Sequence, residues 1–470
     1  MDPFFVAFAA GFALLAAAAF AVMAALIVWA GFFRTFFLVL PYVLVLALFN
    51  QNTGGLADAS PPIYSRGQGT LFFPWFIWAL WLLAVVALLR DKLLHTPTAR
   101  CSLRPWIVAL VLLFLAHCGI GLALSIPARE SLSGYGLIHV ANMGVLALLM
   151  LRTVDSRKAL DLFIGAALVV IAARDVFGIV RFLFFGGDPA NPYDYSSYAP
   201  GAKLTFFDIN DSLLAGIAAA YCGFRLLHDY DSLRTAQKWF FAGVIALALA
   251  TIMFSLRRTA WGGLALASAL IVLLAPGRKR LAVGIPIAGV LAMGLAILLF
   301  KRLGVAWERA QVGWSALYYD MVGGSHYGQA SLRALELQLG WEAYLESPLF
   351  GQGPWGRFAA YSGFGESWHG GEGAFGYVHS GVIHLLFKSG LVGFTLFCGL
   401  VGSFFLYVKR IYPSLAPRYR AVAVMGTAGM LFMMPDIFFG TPFIQIRTTL
   451  LIGLCLALPY VACNVARKAA

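Results

Sequence analysis

Charge is scarce in this chain. Asp, Glu, Lys and Arg make up 12% of its 470 residues, hydrophobic residues make up 61%, and the mean hydropathy is +0.82. Soluble domains carry about 25% charged residues, so a water-exposed globule of this length is excluded. Acidic residues are the scarcest, 21 against 34 Lys and Arg, and the formal net charge is +13. No close acidic pair suited to a metal stands in the expected outer loops, where Asp208, Asp211 and Asp436 are scattered. There is no HExxH, no GxxxxGK[ST] and no Ser-centred nucleophile elbow, which argues against metal catalysis and nucleotide hydrolysis. The six cysteines, Cys101, Cys118, Cys222, Cys398, Cys455 and Cys463, show no metal-like spacing. Neither a zinc site nor a disulfide framework is predicted, and no cofactor. Tandem repeats, low-complexity segments and a soluble domain are also missing.

What is present is a succession of apolar runs of about 18 residues or more, the signature of a polytopic helical membrane protein. The whole chain, 1–470, reads as a single all-α integral membrane domain of twelve or thirteen helices. Phe4–Asn50 is too long for one span and reads as two helices turning at Arg34; the first is expected to remain as a membrane helix and not to be a removed signal. Further spans are predicted at 71–89, 105–125, 136–151, 159–185, 211–227, 239–256, 259–275, 281–300, 380–408 and 421–440, before a last helix. Basic clusters follow alternate spans: Arg90 to Arg104, Arg152 to Lys158, Arg225 to Lys238, Arg278 to Arg280, Lys409 to Arg420, and Arg467 with Lys468. Positive residues collect on the cytoplasmic side, so most of the net charge reports topology. Spread over short loops, it does not suggest nucleic-acid binding.

Against that alternation, one long polar interval stands out at Lys301–Val378 on the outer side. A loop of this length in a compact membrane protein reads as a lid or binding element. Leu332, Leu335, Leu339 and Ala343 follow a helical period, predicting a short amphipathic surface helix that carries Arg333. Arg333 either meets a ligand or pairs with Glu336 or Glu342. The glycines of SPLFGQGPWG, 347–356, permit a close backbone approach. His379 then opens the next span; it either caps that helix or takes a proton from a hydroxyl. His384, five positions on, projects from a different face.

Arg257 and Arg258 break the charge alternation, sitting in an outer turn at the start of a helix. They either snorkel to lipid phosphates or clamp a phosphate-bearing substrate, since guanidinium binds phosphate in bidentate fashion and a helix start adds N–H donors. Arg174 and Arg181, seven residues apart, share one helix face in the outer half of their span. Either they form internal Arg–Asp pairs or they add a second anion contact.

Three stretches together, SLRRTAWGG (255–263), WEAYLESPLFGQGPWG (341–356) and VHSGVIHLLFKSGLVGF (378–394), resemble the O-antigen ligase / O-antigen polymerase superfamily. Its members show an SR-[ST]-x-[WY] helix start, an hPllGxGxG turn and an HNxxLxxLxxxGlxG helix after a large periplasmic loop. The resemblance covers about 255–400 and extends to the N-terminal half only by architecture. It implies a GT-C-like bundle in the bacterial inner membrane, transferring a glycan from an undecaprenyl-diphosphate carrier to a hydroxyl of lipid A–core at the periplasmic face. Metal-independent, inverting transfer is implied. Arg258, Arg333 and His379 match the family's helix-start arginine, loop arginine and histidine. Arg257, Arg174 and Arg181 are further expected substrate contacts. Ser380 stands where Asn is common, and no role is carried onto it. A polymerase or a protein oligosaccharyltransferase of the same kind remains open from sequence, as does a transporter of an anionic substrate, although no repeat symmetry favours the last.

Overall fold

The computed structural model describes residues 35–49, 63–64, 73–95, 101–189, 203–282, 284–292, 329–358 and 376–469. The expected first helix with its turn at Arg34, the end of the span reaching Phe300, and much of the interval 301–378 lie outside the described residues. Those described are helical and include no β-strand.

The helices that build the bundle and its site are, in chain order, α1 (Phe36–Leu48), α2 (Trp75–Leu93), α3 (Arg104–Ala123), α4 (Ile138–Thr153), α5 (Arg157–Phe184), α6 (Ile209–His228), α7 (Thr235–Ser255), α8 (Arg258–Leu274), α9 (Gln329–Glu346), α10 (Gly381–Ile411), α11 (Pro417–Phe439) and α12 (Ile446–Ala469). Among the described residues six, α3, α5, α7, α10, α11 and α12, are long and apolar enough to cross a membrane, and the chain is an all-α polytopic membrane protein. The apolar helices α1, α4 and α8 are shorter. Starts follow local chemistry: Ser156, Asp208 and Ser380 cap α5, α6 and α10, each accepting a backbone N–H of the first turn.

The core sits around α12, whose most apolar window is 89% buried, against 28–44% for α3, α5, α7 and α10. It packs on α11 and α4, and α11 also meets α6 and α8. Small residues set these approaches. Gly453 lies against the Met143 carbonyl, Gly426 against the Cys455 carbonyl, and Gly263 against that of Phe432. Outer helices keep large apolar side chains such as Trp75, Leu122, Phe184 and Trp239 exposed, as a lipid-facing surface requires.

The basic loops gather at one end. Arg152 pairs with Asp91 at 2.9 Å, Arg90 bonds the Arg152 carbonyl at 3.0 Å, Lys468 pairs with Asp155 at 3.6 Å, and Arg418 with Asp161. Arg152, Arg225, Lys409, Arg410, Arg467 and Lys468 occupy last helical turns there, where the helix dipole favours cations. The starts of α4, α6, α8, α10 and α12 meet at the opposite end, and the candidate site lies among them.

Candidate active site

His379 precedes the capped start of α10, and the residue that holds it comes from α9. Glu336, 4% exposed, accepts the His379 backbone N–H at 2.9 Å and lies 2.9 Å from Nδ1 through each carboxylate oxygen. A carboxylate only accepts, so Nδ1 carries the proton and Nε2 becomes the basic nitrogen of the ring. The His379 side chain keeps 19% exposure, against 5% for Glu336, so the ring reaches outward from a buried carboxylate. Tyr377 meets His379 edge-on with ring centroids 5.4 Å apart, and Tyr135 packs on Tyr377 at 5.5 Å. Burial, then the nearby Glu336 carboxylate, push the Tyr377 hydroxyl up to about 12, so it stays neutral beside the pair. Local spacing marks Glu336 only as a possible partner for Arg333; pairing it with the histidine needs 43 residues of chain to fold back.

The α9–α10 arrangement is fixed by the glycine-rich turn. Predicted as one uninterrupted span, α10 is broken at Gly390, where φ is +62° and ψ is −168°. The Pro348–Gly353 turn supplies the missing ladder. Leu391 and Val392 donate to the Pro348 and Leu349 carbonyls at 2.8 and 3.1 Å, and the Phe387 and Lys388 carbonyls accept from Gln352 and Gly353 at 2.8 and 3.1 Å. A side chain at Gly351 (φ +70°) would strike the Lys388–Gly390 backbone, and one at Gly390 the Leu349 carbonyl. Lys388, buried inside the span, reaches the Pro354 and Gly356 carbonyls. Gly390→Ala is therefore expected to cost more than the ~1–2 kcal/mol of a left-handed backbone alone. A thermal melt in detergent reads this, and an unchanged midpoint would remove the turn as an organiser.

Arg257 and Arg258 occupy the junction between α7 and α8. Arg257 bonds the Phe207 carbonyl and stacks over the Phe207 ring at 4.9 Å; Arg258, at the first position of α8, is exposed and makes no ion pair among the described residues. Buried Asp436, near the end of α11, lies within electrostatic reach of both Arg257 and His379. Gly262 of α8 packs on Pro435, and Gly381 of α10 on the Ile437 carbonyl. The arginine turn and the histidine thus flank the same end of α11. Arg333 lies on α9 one turn before Glu336; its side chain is outside the described part.

Arg174 and Arg181 do share a face of α5, but their guanidinium groups are engaged within the protein. Arg174 pairs with Asp211 at 2.5 Å and bonds the Leu48 carbonyl at 2.7 Å. Arg181 pairs with Asp188 at 3.2 Å and bonds the Thr205 carbonyl at 2.7 Å. Both sit over Phe206. The geometry is that of internal Arg–Asp pairs, the structural one of the two sequence readings. Arg447, which nothing in its local sequence marked, completes the set: fully buried, it holds Asp208 at 3.0 Å, Asp211 at 2.9 Å and the Leu46 and Ala47 carbonyls at 3.0 Å. Two arginines and two aspartates thereby neutralise one another beneath the site. His384, also buried, lies near Lys388 inside the bundle.

Among the described residues no group of three His, Cys, Asp or Glu side chains is placed to hold a metal ion. What the arrangement offers is a carboxylate-oriented imidazole beside a cationic helix start. Residues 243–398 match the family model described as O-antigen ligase, a stretch that includes Arg257, Arg258, Arg333, Glu336 and His379. A comparison with curated proteins gives no match.

Proposed function

We propose, on the premise of the match between residues 243–398 and the O-antigen ligase family model, that this chain transfers a glycan from undecaprenyl diphosphate to a hydroxyl of lipid A–core. The observation that carries the reading is the Glu336–His379 pair at the end of the bundle that also bears Arg258. Glu336 holds the ring so that Nε2 takes the acceptor proton. The acceptor oxygen then bonds to the anomeric carbon from the side opposite the diphosphate. The old C–O bond breaks, its electron pair leaves with the diphosphate, and the configuration inverts.

Arg258 and Arg333, with Arg257 behind them, bind that diphosphate and stabilise its growing charge, aided by the N–H groups that open α8. Charge stabilisation by guanidinium makes the step metal-independent. The prenyl chain lies along the apolar outer helices, each buried methylene contributing about 0.8 kcal/mol. The positive-inside rule supports a cytoplasmic basic end and, with it, a site on the periplasmic side of the inner membrane.

The test is reconstitution of the purified protein with lipid-linked glycan and lipid A–core, with products separated by gel. Glycan on lipid A–core supports the reading; longer glycan on the carrier lipid instead makes the protein a polymerase. In the same assay Arg258→Ala should lower transfer by about 10²–10³-fold. Arg258→Lys should rescue little of it, because lysine lacks the bidentate fork. Transfer unaffected by Arg258→Ala would remove the phosphate clamp, and inhibition by chelator reversed with Mg²⁺ would overturn metal independence.

A further inference from the structure

A cavity of about 570 Å³ opens beside Tyr135 and Tyr377, on the histidine side of the site. That volume falls in the range of ligand pockets, ~300–1,000 Å³. Its lining includes the chain before and at α4 (Arg129, Glu130, Tyr135, Asn142), residues that follow the turn docked on α10 (Trp355, Arg357), and apolar residues at the starts of α2 and α12.

At its wall, Asn142 is 1% exposed. Its Oδ1 accepts the Trp81 indole N–H at 2.7 Å. An indole N–H can only donate, so the amide orientation is set and Nδ2 faces away from Trp81 with two donors. Nδ2 makes no hydrogen bond among the described residues. A buried donor without an acceptor is unfavourable, and a ligand oxygen reaching Nδ2 from this cavity would satisfy it. Trp355 and Tyr135 add flat aromatic faces of the kind that pack on sugar C–H groups. At the rim Arg129 is exposed, and Arg357 meets Glu130 only loosely, at 3.8 Å with both side chains about half exposed. One carboxylate against two guanidinium groups leaves an excess positive charge.

We propose that this cavity binds an anionic sugar of the acceptor, with Asn142 donating to a ring substituent and Arg129 and Arg357 meeting a phosphate or carboxylate. It rests on the transferase reading for the word acceptor. The side of the site decides between the substrates: the Tyr135–Tyr377–His379 ring series joins the cavity to the proposed base, whereas Arg257 and Arg258 lie toward α8 and α11.

The experiment uses the full chain in lipid nanodiscs and two probes, a phosphorylated core oligosaccharide freed of acyl chains and the same oligosaccharide after phosphatase treatment. Binding is read by tryptophan fluorescence without turnover. Asn142→Leu should weaken both probes about tenfold, the scale of one lost hydrogen bond. The acceptor KM should rise alongside, while the KM for lipid-linked donor stays unchanged. The Arg129→Ala/Arg357→Ala pair should weaken only the phosphorylated probe. Both rim residues are exposed, so this pair carries the test should Asn142→Leu fail to fold. Equal affinity of the rim variant and the parent for the phosphorylated probe would overturn the proposal, as would a rise in donor KM instead of acceptor KM. A protein that binds the probe through these residues yet transfers no glycan keeps the cavity assignment and refutes the transferase reading.

Discussion

His379→Ala is expected to lower glycan transfer by about 10²–10⁴-fold, the contribution of a positioned acid–base group, while binding of the lipid-linked donor persists. The reason lies in the division of the ring. Glu336 accepts the backbone N–H of His379 and lies 2.9 Å from Nδ1, so one contact fixes the tautomer and the orientation together. Removing the carboxylate leaves the imidazole present and unguided. Glu336→Gln should accordingly cost about 10–100-fold, as loss of a residue behind a working histidine does, and it should act on kcat with little change in donor KM. Glu336→Asp should fall between the two. A purely structural role for Glu336 would instead lower the thermal midpoint and leave the kcat of the folded fraction intact. Undiminished turnover in His379→Ala would exclude the ring as the base.

The second large effect is on stability. Arg447→Met should destabilise the bundle by about 3–5 kcal/mol, the cost of removing one partner from a buried ion pair. Arg447 is 0% exposed and holds Asp208, Asp211 and two carbonyls at the end of α1. Without it two aspartates keep only Arg174 among these arginines, and the contact tying α12 to α1 and α6 is gone. Asp211→Asn added to Arg447→Met should cost less than the sum of the singles, because removing charges of both signs restores balance. Thermal unfolding in detergent reads this cycle. A fully additive result, or an unchanged midpoint in Arg447→Met, would mean that the four charges do not act as a unit.

Apolar runs in the sequence anticipated α3, α5, α7 and α11 to within a few residues, and the helical period around Leu335 anticipated α9. Both are properties of residues within a turn or a span of one another. The break at Gly390 was not anticipated, because the hydrogen bonds that replace the ladder come from Pro348 and Leu349, some forty positions upstream. Two arginine pairs, Arg174 with Arg181 and Arg257 with Arg258, each carried both a structural and a ligand-binding reading from sequence. Folding separated them: Arg174 and Arg181 found Asp211 and Asp188, Arg257 found the Phe207 carbonyl, and Arg258 stayed exposed.

Hydropathy and charge spacing, which each residue carries wherever it lies, by themselves determined that this protein is a helical membrane bundle with a basic end. Which arginines are engaged inside the bundle, and that His379 has a carboxylate behind it, was decided only by tertiary structure. In a low-dielectric interior a guanidinium is stable only against an opposite charge, and Arg447 meets Asp208 across 239 residues. No local pattern encodes a distance of that kind.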